Sequence, residues 1–194
     1  MSWIEVDYDP AIWVEMPSEW TDGTWPDYRD WAWDTAKAVW ADSGLEPGEY
    51  GIDQLALAFA MIVESEDKAL SSLTYLHVPE PTDIPLAVGL KVFECEGERA
   101  TALRVMANAD DPGAVESPIV DEFATASLGS GLRTLRYLTP PEQPDTLVGA
   151  LNYAWRVDEI DTDIRLWTAC PDLSRLIGAI DDIDTLARSI RVGE

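Results

Sequence analysis

At residue 72 the hydrophobic pattern changes its period. Before that point apolar residues recur every three or four positions. After it they alternate. A helical stripe repeats about every 3.6 residues and a half-buried strand about every 2. The chain therefore places helices first, then a run of strands. A last helical pattern closes the sequence. This order argues an α+β fold rather than alternating α/β units.

The residues before the switch give three elements. AIWVEM (11–16) reads as a short strand ended by Pro17. Pro26 suits a first helical turn, Thr24 with Asp27 resembles a capping box, and Ser43-Gly44 is a stop signal, which predicts a helix over about 26–42. On a wheel of roughly 100° per residue, Tyr28, Ala32, Ala36 and Val39 form one stripe. Trp33 and Trp40 flank it and are expected in the core; Trp31 lies on the other flank beside Asp42, where packing against Trp13 or Trp20 is favoured over display. A second helix, about 50–66, is apolar nearly all round, from Ile52 and Leu55 through Leu57, Phe59 and Met61 to Val63. Such a helix must be covered on most sides, so it is expected between the first helix and a sheet.

After the switch, SLTYLHV (72–78) and AVGLKVFEC (87–95) read as strands. TALRVMA (101–107) fits a strand or a short helix. IVDEFATASL (119–128) and LRTLRYL (132–138) flank Gly129-Ser130-Gly131, a hairpin signal. LVGALNYAWRV (147–157) and IRLWTAC (164–170) form a second hairpin across DEIDTD. Pro171-Asp172 opens a helix to about residue 190, with Asp181-Asp182 as a possible break. The prediction is one α+β domain over 1–194: a two-helix segment at 26–66, an antiparallel meander of six or seven strands over 72–170, and a C-terminal helix at 172–190. A chain of 194 residues buries enough surface, roughly 70%, to need neither disulfide nor metal.

The second half resembles the PsbP/LpqN superfamily. The matching features are the meander, the hairpin around LGSGLRTLRY (128–137), the paired strands LNYAWRV and IRLWTAC, and the closing LIGAIDDIDTLARSIRV (176–192). AIWVEMPSEW (11–20) is similar to that superfamily's opening strand and Pro-x-x-Trp turn. The same pattern resembles many actinobacterial proteins. The resemblance covers about 100 residues and implies a PsbP/LpqN-like sandwich. Its members are mostly binding or accessory proteins without a shared catalytic constellation, so it implies no functional residues here. The chain departs from it by the two-helix insertion, and it is expected to lack the secretion signal and lipid-attachment cysteine of the LpqN lipoproteins.

Charge narrows the partners. The chain holds 37 acids and 13 bases, a net charge of −24. Residues 1–67 carry 16 acids against Arg29 and Lys37 alone. Phosphate backbones and anionic membranes are repelled by such a surface, whereas a basic protein is attracted. The opening MSWIEVDYDP has no basic n-region and no apolar h-region. The longest apolar run, Leu55 to Val63, has nine residues, against about 20 for a bilayer span. A cytoplasmic location is expected.

Little chemistry is spelled out. His77 is the only histidine and no G-x-S-x-G is present, so a nucleophile pair lacks its usual local signature. His77 is read as a strand-end residue bonded to backbone or to Glu80. Three Cys and His residues fall short of a zinc site; Cys95 and Cys170 are read as buried free thiols. Asp158, Glu159, Asp161 and Asp163 crowd one hairpin tip without calcium-loop spacing. Gly129-Ser130-Gly131 is no P-loop, and Arg133 and Arg136 fall on opposite faces of one strand. No cofactor is expected.

The residues favour a non-enzymatic binding protein, immunity- or secretion-accessory-like by analogy. It would present an acidic, tryptophan-bearing surface, formed by Trp20, Trp25, Asp27, Asp30, Trp31 and Asp34, to a basic protein. Tryptophan is enriched at interface hot spots. The alternative is a small-molecule carrier or receptor, with a pocket on the sheet near Tyr137, Tyr153, Trp155 and Trp167.

Overall fold

The structure, a computed structural model, describes residues 3–18, 20, 24–65 and 73–193. In chain order these form β1 (Trp3–Val6), β2 (Trp13–Met16), α1 (Tyr28–Ser43), α2 (Gly51–Ser65), β3 (Leu73–His77), β4 (Leu86–Glu94), α3 (Arg99–Met106), β5 (Ile119–Thr125), β6 (Gly129–Leu138), β7 (Val148–Val157), β8 (Thr162–Cys170), α4 (Leu173–Ser189) and β9 (Ile190–Gly193). Seven strands make one sheet in the order β2-β3-β4-β8-β7-β6-β5. The fold is α+β, as the change of period predicts, and takes the sandwich form that the resemblance implies. The meander is split in two: α3 and the loop after it separate β4 from β5, and β4 neighbours β8.

The elements fall into two compact units, Asp9–Gly89, and Met1–Tyr8 with Leu90–Glu194. Where the sequence predicts one domain, its two-helix segment lies in the first of these and the hairpins in the second.

In the Asp9–Gly89 unit, α1 is capped by Asp27. Its carboxylate accepts from the N–H groups of Arg29 and Asp30 at 2.8 and 3.2 Å. The cap is thus Asp27 itself and not the Thr24 of the expected box. The helix stops at Gly44, which takes the left-handed conformation at φ 68° that a side chain resists. Trp40 is buried as expected, whereas Trp31 and Trp33 exchange the places that the wheel gives them. Trp31 is 2% exposed and Trp33 40%. Trp31 packs between Trp20 and Phe59, with ring centroids 5.7 and 5.8 Å away, while Trp33 lies beneath the Lys37 ammonium. The buried stripe is Trp31, Ala32, Ala36 and Trp40, set by the shape of α2 rather than by the centre of the apolar arc. Only one side of α2 is covered: Leu55, Ala56 and Phe59 are buried, but Leu57 and Met61 are 62% and 59% exposed. This corrects the expectation of cover on most sides.

In the other unit, β5 to β8 pair antiparallel in sequence order. Thr125 pairs with Gly129, so Ala126, Ser127 and Leu128 make the turn and the Gly-Ser-Gly run opens β6. Gly131 is glycine because Trp155 covers it: a Cβ there would lie 2.4 Å from the Trp155 ring and from the Ala154 carbonyl. The β7–β8 hairpin closes at Val157 and Thr162. Opposed residues share a face. Tyr153 and Trp155 therefore lie with Leu166 and Ile164, on the face that α4 covers through Leu173, Leu176 and Asp184. Asn152, Ala154 and Arg156 lie with Trp167, Arg165 and Asp163 on the other, where Leu103 and Ala107 pack on Ala154.

The ambiguous 101–107 stretch is helical because Glu98 caps it, accepting from Ala100 and Thr101 N–H groups at 3.0 and 2.9 Å. Those donors hold the Glu98 carboxyl below its ordinary value of 4.5. A depressed folded-state value means that the cap stabilises α3 at neutral pH, and that its contribution is lost as pH falls through the folded value. Carbon-13 NMR of the Glu98 carboxyl should show a titration midpoint below 4.5; an ordinary midpoint would show that the cap is absent. At the chain's end, α4 runs unbroken through Asp181-Asp182. β9 pairs with β1, a two-stranded ribbon that the sequence did not announce.

Candidate functional site

The surface expected on the first helix is thinned by the fold. Trp31 is core. Trp20 and Trp25 are half-buried and pack on the same cluster. Asp27 is spent on the helix cap. Asp30 and Asp34 remain exposed, and Asp34 lies 3.8 Å from Lys37. The region presents carboxylates but withdraws the rings that were to anchor a partner.

The aromatic pocket expected on the sheet is not assembled either. Tyr153 and Trp155 are fully buried, stacked 5.8 Å apart and closed by the edge of Phe123. Trp167 lies on the opposite face, paired with Asn152. His77 is buried with its ring 4.8 Å from that of Trp13. Cys95 is half-buried and Cys170 buried. Burial and the nearby Asp163 push the Cys95 thiol up to about 11, so it is protonated at neutral pH and is a poor nucleophile.

The acidic hairpin tip divides by partner. Asp163 takes a bidentate pair from Arg156, at 2.7 and 2.6 Å, with both side chains at most 6% exposed. Arg156 also donates to the carbonyls of Glu96 and Gly97 at 2.9 and 3.0 Å. Asp158 pairs with Arg99 at 2.6 Å, and Arg99 reaches the Ser130 and Arg156 carbonyls. Among the described residues no group of three or more His, Cys, Asp or Glu is placed to hold a metal ion.

These arginines shape what lies beside them. By holding the 96–97 backbone, Arg156 fixes one wall of an open groove of about 680 Å³ between the end of β4 and α3. Its apolar lining comes from Phe93, Ala102, Val105 and Met106, and its acidic lining from Glu94, Glu96, Glu98 and Asp163. Glu98 is engaged by α3 and Asp163 by Arg156. Glu94 and Glu96 are exposed carboxylates that no cation of the described residues pairs. Val105 is itself widely exposed. In sequence this site appeared only as a Glu-Gly-Glu turn beside an ambiguous segment. One stretch, residues 93–106, builds it together with the distant Asp163, and no motif marks that stretch as a site.

No family model matches the chain, and no curated protein matches its sequence. A solved structure does: the crystal structure of LpqN, involved in cell envelope biogenesis of Mycobacterium tuberculosis, has a TM-score of 0.53 over 100% of this chain and 85% of that one. The fold is LpqN-like. Sequence identity is 10%, so the likeness is one of architecture and assigns no residue a role. It agrees with the resemblance carried by the hairpins and the closing helix. No described helix is long and apolar enough to cross a membrane.

Proposed function

We propose that this LpqN-like chain is a non-enzymatic binding protein and that it takes a basic, amphipathic segment of a protein partner into the groove beside α3. The observation that carries this reading is the combination of exposed apolar lining with the unpaired carboxylates of Glu94 and Glu96. Apolar side chains of a partner would cover Phe93, Val105 and Met106, while its cations meet the rim. Apolar burial at the centre with charge at the edge is how protein interfaces divide affinity from steering. The net charge of −24 extends the attraction beyond contact. The buried His77 and the protonated Cys95 thiol support binding over catalysis. The LpqN likeness supports an envelope process, actinobacterial in setting, as the place to seek the partner.

A fluorescent helical peptide with lysines on one face and leucines on the other is a direct probe. Its affinity should fall at least about tenfold in the Glu94→Lys/Glu96→Lys variant, and similarly in Val105→Asp. The Asp30→Lys/Asp34→Lys variant changes net charge by the same amount on α1, and it should retain most of the binding. Equal losses from both double variants would reduce the effect to bulk charge and remove the groove from the account.

A further inference from the structure

On the sheet face that α3 covers, two arginines meet with too little negative charge between them. Arg136 on β6 lies opposite Ala150, and Arg165 on β8 lies opposite Ala154, which puts both on one face of β7. Asn152 stands between them on that strand, opposite Thr134 and Trp167. Asn108, in a left-handed conformation after α3, completes the cluster. With its amide oxygen turned toward the guanidiniums it accepts from Arg165 Nη2 at 2.9 Å and from Arg136 Nη2 at 3.3 Å, giving up the 3.2 Å donation that its amide nitrogen otherwise makes to Asn152 Oδ1.

Carboxylates are abundant in this chain, and nearby arginines use them: Arg99 with Asp158, Arg104 with Asp110, Arg133 with Asp121 and Asp184, Arg156 with Asp163. Arg136 has Asp111. Arg165 has none among the described residues. It donates to Asn152 Oδ1 at 3.0 Å and stacks over Trp167 at 5.1 Å. Among the described residues, the Nε–H of both Arg136 and Arg165 is buried without an acceptor, as is the Asn152 amide nitrogen. Buried donors are nearly always satisfied, and a buried cation without a counter-charge is costly. Burial holds both guanidiniums below the ordinary arginine value, and Arg136 adds to the effect on Arg165. Arg165, Asn108 and Trp167 are each only partly buried, so the rim of the cluster reaches solvent while its Nε–H groups lie beneath the surface.

We propose that Arg136, Arg165, Asn108 and Asn152 form a binding site for a small organic monocarboxylate. Two guanidiniums less Asp111 leave one positive charge, which a single carboxylate neutralises. A carboxylate has two oxygens, one for each of the two Nε–H donors that lack an acceptor. A phosphate dianion would over-neutralise the cluster beside Asp111. The site is separate from the groove and stands without it.

The test is a titration of the full chain with sodium acetate, with sodium chloride at matched ionic strength and inorganic phosphate as parallel arms. Arginine Nε–H NMR signals and the melting temperature are read together. Acetate should shift the Arg136 and Arg165 signals saturably. It should raise Tm by roughly 3 °C at about ten times Kd. Arg165→Gln should abolish both responses, and Arg165→Lys, which keeps the charge but not the Nε–H, should weaken them at least about tenfold. Without ligand, Arg165→Met should melt no lower than the parent. Signals that move no more with acetate than with chloride would overturn the site. Saturation by phosphate alone would overturn the carboxylate assignment, and a large loss of Tm in Arg165→Met would make Arg165 a structural residue.

Discussion

Replacing Trp31 by alanine is expected to destabilise the Asp9–Gly89 unit by about 3–5 kcal/mol, the usual cost of deleting a buried tryptophan or phenylalanine ring. The ring is 2% exposed and fills the space between Trp20 and Phe59. Neither neighbour can close the gap, because each belongs to a different segment that α1 holds apart. Trp33→Ala, two residues away, should change stability by no more than about 0.5 kcal/mol, since its ring contacts Lys37 and solvent. Urea unfolding followed by far-UV circular dichroism compares the two. Similar midpoints for both variants would show that Trp31 is not core.

The second large effect is expected at Asp184. This buried carboxylate on α4 accepts from the Tyr153 hydroxyl and from Arg133 Nη1 at 2.8 Å, and Arg188 Nη2 lies 3.8 Å away. Burial, and the Asp184 bond after it, push the Tyr153 phenol far above its ordinary value, so it stays a donor. Asp184→Ala removes the acceptor and leaves a buried hydroxyl and a half-paired arginine, at a cost of about 3 kcal/mol. Tyr153→Phe removes only the donor. Asp184 keeps Arg133, and the cost should be about 1 kcal/mol. The inequality is the prediction: equal losses in denaturant unfolding would mean that the tyrosine, not the carboxylate, organises the contact between α4 and the sheet.

What was legible in the sequence was local. Gly44 ends α1, alternation sets the β7–β8 hairpin, and Asp172 opens α4, each from signals within a few residues. Alternation also placed Arg133 and Arg136 on opposite faces, where the structure has them facing Asp184 and Asp111. What was illegible depended on distant neighbours. A helical wheel cannot rank Trp31 against Trp33, because both border the apolar arc and only the position of Phe59 on α2 decides. α3 was ambiguous because eight positions are too few to separate the two periods, and the apolar Ala102, Leu103, Val105 and Met106 match neither cleanly. The β1–β9 ribbon joins the two ends of the chain. The arginine cluster draws on segments far apart in sequence, and the groove takes shape only when the turn after β4 folds α3 back and Arg156 brings in Asp163, so neither has a motif.

The most direct measurement is a nitrogen-15 amide NMR titration of the full chain with the lysine–leucine peptide. Binding in the groove predicts that the largest shifts fall on residues 93–106 and around Asp163, and that they are suppressed by Val105→Asp. Shifts centred on Asp30 and Asp34 of α1, or spread evenly over the acidic surface, would contradict it.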